Sequence, residues 1–232
     1  MKTVAVVQHT ESEYLGLVED HLEGRSIRFT YLRPFAPGAH LPASAEGYDG
    51  LILLGAGPRG VVSGDLVASL GAELRLTADF LVRGLPVIGI GIGAAILALA
   101  AGGGAEEAPL RFIVGTARRT EAGALGGHLP ETFPYALYMR DRPVPPKGAR
   151  ILARDEDGAP ALFAVGARSF GFMGHPGVKT GMVEDLIMEF DEVPEGTVER
   201  LAELRRTQPD IAAALAPIMA GLIAETGLMA AD

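Results

Sequence analysis

The chain contains no cysteine and no tryptophan. The first absence excludes disulfides, thiolate metal sites and any cysteine nucleophile. Long apolar runs are missing too. Glycines and charges interrupt every candidate before the roughly 18 residues needed to cross a bilayer. The amino terminus, MKTVAVVQHTESEY, turns polar too early for a signal-peptide core. The expectation is a cytoplasmic chain with no membrane partner. Basic residues are scarce: 20 Lys and Arg stand against 29 Asp and Glu, a formal net charge of -9. A nucleic-acid backbone demands a dense basic face, so no nucleic-acid partner is expected, and the acidity reads as a solvated surface. The histidines, His9, His21, His40, His128 and His175, show no HxH or HxxxH spacing. Neither a metal site nor a cofactor is expected.

What is present is a chain of 232 residues with 48% apolar content, enough to bury a substantial core. Thr3 to Val7, Ile27 to Leu32, Leu51 to Leu54 and Val87 to Ile90 read as buried strands. Helical stretches separate them: Glu13 to Leu22 with Ser12 as its cap, Asp65 to Arg83, and Gly93 to Ala101. Strands alternating with helices predict an α/β fold of three layers, a mostly parallel central sheet flanked by helices. The second half changes texture. Arg111 to Gly115, Ala136 to Met139, Ile151 to Ala153, Leu162 to Val165 and Ser169 to Phe172 are short strands with close turns, predicting antiparallel additions to the sheet. Apolar faces at Val183, Leu186, Ile187 and Phe190, at Leu201 and Leu204, and at Ile211, Leu215, Ile218, Leu222 and Ile223 predict closing helices, the last kinked or split at Pro217. Residues 1–192 form the expected main domain. Residues 193–232 form a helical extension packed on it or across a dimer interface.

The most informative stretch is PVIGIGIGAAILALAAGGG, Pro86 to Gly104. Gly89-Ile90-Gly91-Ile92-Gly93-Ala94 sits between a strand and a helix, as a dinucleotide fingerprint does. The acidic partner such a site needs would be Glu106 or Glu107, which lie in a glycine-alanine loop rather than at a strand end. A purely structural reading is that glycine lets strand and helix pack closely. A third reading is a nucleophile elbow, with Gly89 and Gly93 flanking an apex at Gly91 that carries no side chain.

Four segments together resemble the class I glutamine amidotransferases. In that family the catalytic cysteine lies in P-V-x-G-I-C-x-G-x-Q-x-x-A. Here Pro86-Val87-Ile88-Gly89-Ile90-Gly91-Ile92-Gly93-Ala94-Ala95-Ile96-Leu97-Ala98 is similar. Asp49 to Pro58 resembles the family's D-G-x-I-x-x-G-G-P loop. Tyr138-Met139-Arg140-Asp141 and the residues to Asp155 resemble the segment before its last strands. Gly171-Phe172-Met173-Gly174-His175-Pro176-Gly177 resembles G-x-Q-F-H-P-E. The resemblance spans about residues 1–190. It implies that the nucleophile position is Gly91, the substrate-holding glutamine position Ala95 and the triad acid position Gly177, with only His175 retained. Glycine offers no atom for attack on an amide. None of the serines, Ser12, Ser26, Ser44, Ser63, Ser69 and Ser169, falls at the apex.

The resemblance further implies an oxyanion hole from backbone N–H groups of Gly55, Ala56 and Gly57 and of Ile92 and Gly93, with Arg59 adding charge. A small anionic or glutamine-like ligand is the expectation for that space. The leading expectation is a glutamine amidotransferase-like protein that has lost glutaminase activity and serves as a ligand-binding, regulatory or structural subunit, as a homodimer or beside a synthetase-type partner. One alternative is a hydrolase or lyase with His175 as base, oriented by Asp141 or Glu184 in place of the lost acid, and the backbone N–H groups of the elbow and of the Gly55-Gly57 loop as electrophile. The other is a dinucleotide-binding oxidoreductase.

Overall fold

A computed structural model describes residues 1–229. The chain runs β1 (Thr3–Val7), α1 (Val18–Glu23), β2 (Arg28–Leu32), β3 (Gly50–Leu53), α2 (Leu70–Val82), β4 (Val87–Ile90), α3 (Ile92–Ala100) and β5 (Gly104–Glu106). It continues through β6 (Arg111–Arg119), β7 (Thr132–Met139), β8 (Arg142–Val144), β9 (Arg150–Arg154), β10 (Pro160–Val165) and β11 (Ser169–Phe172). It closes with α4 (Thr180–Glu189) and α5 (Thr197–Thr226).

Nine strands form one sheet in the order β2-β1-β3-β4-β11-β10-β9-β6-β7, and β5 pairs with β8 in a separate ribbon. The strands from β2 to β11 are parallel, and those from β11 to β7 antiparallel. This is the expected α/β sheet with its antiparallel additions. β3, β4 and β11 are buried along their whole length, which explains why Ser169 is their one polar side chain. Alternate residues of β1 serve opposite faces. Val4 and Val6 pack with Leu22 of α1 and with Leu215, Ile218 and Leu222 of α5. Ala5 and Val7 pack with Leu76 and Phe80 of α2 and with Ile92 and Ile96 of α3.

The pairing of β4 with β11 positions the site. Their register sets Gly89 beside Gly171 and Ile90 beside Phe172. The segments leaving these two strands, Gly91 onward and Met173 onward, therefore emerge at the same carboxyl edge, where parallel α/β sheets form their crevices.

Three expectations are corrected. The first helix begins at Val18, not Glu13, because Gly16 adopts a φ of +61° and the chain ahead of it packs on Gly177. Ser12 caps nothing; its hydroxyl donates to Glu189 at 2.5 Å. The closing helices after residue 196 are one helix, running unbroken through Pro209 and Pro217. Proline removes a helical N–H and crowds the preceding turn. Here buried Leu204, Ile211, Leu215, Ile218 and Leu222 hold both flanks of α5 to the sheet. α5 is also the one described helix long and apolar enough to cross a membrane by length and composition. Leu215, Ile218, Met219, Leu222 and Ile223 of this helix lie in the same core as β1 and β3. The final residues of the expected extension, 230–232, lie outside the described ones.

Candidate functional site

The three glycines of the turn have different jobs. A Cβ on Gly89 would lie 2.4 Å from the Gly93 carbonyl oxygen, and one on Gly93 only 2.2 Å from that of Leu53. Both positions need glycine so that α3 can sit against β3 and β4. Gly91 is different. Its φ of 57° and ψ of -122° form the sharp bend between β4 and α3, and its N–H donates to Phe172 at 2.8 Å. A Cβ there would meet nothing closer than the Gly55 Cα at 3.6 Å. The bend therefore has the strained backbone of an elbow and room at its apex for a side chain.

His175 follows β11 and lines the same cavity as Gly91. Its Nε2 donates to the Tyr14 carbonyl at 2.8 Å, and its Nδ1 accepts the Gly177 N–H at 3.1 Å. Both ring nitrogens are thus held by backbone, which fixes the neutral tautomer. Burial pulls its pKa down to about 4, against the opposing pull of the Tyr14 carbonyl. Gly177 has no space for an acid. A Cβ there would lie 2.9 Å from both Val18 N and Val18 Cγ2, and the Leu17 N–H donates to the Gly177 carbonyl at 2.8 Å. The segment from Tyr14 to Val18 fills the place where an orienting carboxylate would stand. Neither Asp141 nor Glu184 replaces it. The Asp141 carboxylate accepts from the N–H groups of Val61, Val62 and Ser63, and Glu184 pairs with Arg205 at 2.5 Å.

Glu13 was hidden in the sequence within what looked like a helix. In the structure it is buried at the centre of the site. Its Oε2 accepts the Gly57 N–H, and its carboxylate occupies the space a side chain on Gly55 would take. Burial pushes its pKa up to about 7. The Gly57 N–H and the charge of His9 resist this rise, and the charge of Glu189 adds to it. The expectation of an anion-accepting loop at Gly55, Ala56 and Gly57 is thus corrected in one respect: the chain's own carboxylate already takes the Gly57 donor.

Behind the loop lies a second buried pair. His9 Nε2 stands 2.7 Å from Glu73 Oε2, and His9 Nδ1 stands 2.9 Å from the Gly55 carbonyl. Both partners are acceptors, so both ring nitrogens carry protons and His9 is an imidazolium. Burial alone would lower its pKa; the charge and hydrogen bond of Glu73, with the Gly55 carbonyl, raise it above the ordinary value. Ser69 donates to the other Glu73 oxygen at 2.5 Å. His9 and Glu13 grip the loop from its two ends, while Arg140 Nε holds the Pro58 carbonyl at 2.9 Å. Arg59 turns away from the cavity. It reaches the His9 carbonyl at 3.2 Å and Asp65 at 3.5 Å, and lies over the Phe190 ring.

The resulting cavity is small, about 20 Å³, room for roughly one water-sized group. Gly91, Glu13, Tyr138 and His175 line it, with Phe112, Met173, Met182 and Leu186 among its apolar walls. The Tyr138 hydroxyl is buried and has no hydrogen-bond partner. Ser169, the serine nearest His175 in sequence, instead accepts the Val87 N–H at 3.2 Å. Glu106 lies in β5, outside the main sheet.

Together the sheet and the elbow define a class I glutamine amidotransferase-like α/β fold. The solved structures it matches bear this out. A glutamine amidotransferase from Methylobacillus flagellatus superposes with a TM-score of 0.82 at 23% identity, covering 97% of this chain and 95% of that one. One from Thermotoga maritima gives 0.80 at 20% identity over 97% and 98%. A candidate GMP synthase subunit from Thermoplasma acidophilum gives 0.60 at 18% identity over 90% and 98%. In sequence the chain matches no family model and no curated protein.

Proposed function

We propose that this chain is a class I glutamine amidotransferase-like protein without glutaminase activity, acting as a ligand-binding, regulatory or structural subunit. The observation that carries this reading is the bare apex at Gly91, where an elbow with room for a side chain presents none. Nucleophilic catalysis needs an activated atom at that point and a base to take its proton. His175 has both nitrogens committed to backbone, and Gly177 has no room for an acid. A cavity of about 20 Å³ is also too small to seat glutamine as it stands. The likeness to a candidate synthase subunit supports a synthetase-type partner for this chain, with a homodimer as the other arrangement. The committed nitrogens of His175 weigh against its service as the base of a hydrolase or lyase. The test is ammonia release from glutamine: pure protein should match a no-protein blank, and steady turnover would overturn the reading.

A further inference from the structure

The cavity's polar groups point to a ligand of the opposite sign from the one the backbone loop suggests. Glu13 is a buried carboxyl group whose side chain accepts a backbone hydrogen bond from the Gly57 N–H. The charged and titratable groups around it are His9 on the segment after β1, Glu189 on α4, Tyr138 on β7 and His175 after β11. His9 is already paired with Glu73, and Glu189 adds negative charge. His175 is neutral with no free nitrogen. Tyr138, only 8% exposed, lines the same cavity and leaves its hydroxyl unpartnered. Buried hydroxyls and carboxyl groups normally have partners, and an orphan hydroxyl beside a carboxyl group with a single backbone donor marks a place for a further polar group.

We propose that this cavity binds a primary ammonium group, which donates to the Glu13 carboxylate and the Tyr138 hydroxyl. This deepens the reading of the chain as a ligand-binding protein and rests on it. The present volume accepts an ammonium-sized head. That volume seats the head alone; a methyl or longer alkyl body requires Met173 and Met182, the most adaptable side chains of the wall, to move aside. A carboxylate ligand would face Glu13 at close range without a free cation to balance it, and is rejected.

The probe is methylammonium chloride carrying a ¹³C label, titrated into the whole protein and followed by NMR, with sodium acetate and sodium chloride in parallel. Saturable methylammonium binding is expected, with none for acetate. Glu13→Gln keeps the acceptor for Gly57 but not the charge, and should weaken binding about tenfold or more, the loss of one charge-assisted contact. Tyr138→Phe changes only the unpartnered hydroxyl, so its fold is secure, and it should weaken binding several-fold. Absence of saturable methylammonium binding, binding that neither substitution alters, or competition by acetate each overturn the proposal. Turnover of glutamine would overturn the function proposed above while leaving the methylammonium result as it stands, so the two failures are distinct.

Discussion

Residue 91 carries no reactive group and still has room for a side chain. Gly91→Cys should therefore fold. Its cost is the strain of a side chain at φ +57°, about 1–3 kcal/mol, whereas Gly93→Ala forces a methyl against the Leu53 carbonyl and should cost about 3 kcal/mol or more. Thermal unfolding of the two variants checks the contrast, and the reverse order would remove the case for an open apex. Glu13 makes a pH prediction. Its pKa is about 7 in the folded state against an ordinary 4.5, so the folded protein holds the proton more tightly than the unfolded chain. Its contribution to stability is therefore fully present below about pH 4.5 and falls as pH rises to about 7, by up to about 3 kcal/mol. His175, with its pKa lowered to about 4, acts in the opposite sense and removes stability as pH falls below its ordinary 6.5. Only the difference between wild type and Glu13→Gln isolates the carboxyl. That difference should grow as pH rises from about 5 to 7; denaturant midpoints showing a flat difference would refute the assignment.

At the scale of elements, the strands were legible because burial on both faces leaves unbroken apolar runs. Val87–Ile90 and Ser169–Phe172 fall where the pattern places them. The strand-turn-helix around Gly91 was legible for a related reason, since small residues at fixed spacing are the price of close packing there. The segment from Glu13 to Leu17 was not. Its Leu15 and Val18 have helical spacing, but Gly16 takes a left-handed φ and Tyr14 gives its carbonyl to His175. Tertiary contacts with a segment far along the chain override the local pattern. Glu13, His9 and Glu73 were missed with it. A lone carboxylate or histidine in sequence carries no sign of burial, and the pair His9–Glu73 is 64 positions apart. The expected break at Pro217 failed because packing along one face of α5 outweighs one lost helical hydrogen bond.

For the whole molecule, the last helix shares a core with the first strands. Leu215, Ile218, Met219, Leu222 and Ile223 are buried with Val4, Val6 and Ile52 in one core. Each such side chain is worth about 1.5–3 kcal/mol when fully buried, so the five together are comparable to the 5–15 kcal/mol of a typical domain. A chain ending at Gly196 should fail to give a cooperative thermal transition. A sharp transition from that fragment would show that residues 1–192 fold alone. The same compactness closes the cavity above Gly91, with α4 supplying Met182 and Leu186 and β7 supplying Tyr138.

The most direct measurement is a single-turnover experiment with protein in excess over ¹³C-labelled glutamine, followed by NMR and by intact-protein mass. Glutamine should persist unchanged and the protein mass should stay that of the free chain. Glutamate appearing in proportion to protein, or a glutamyl adduct on any residue, would contradict the account.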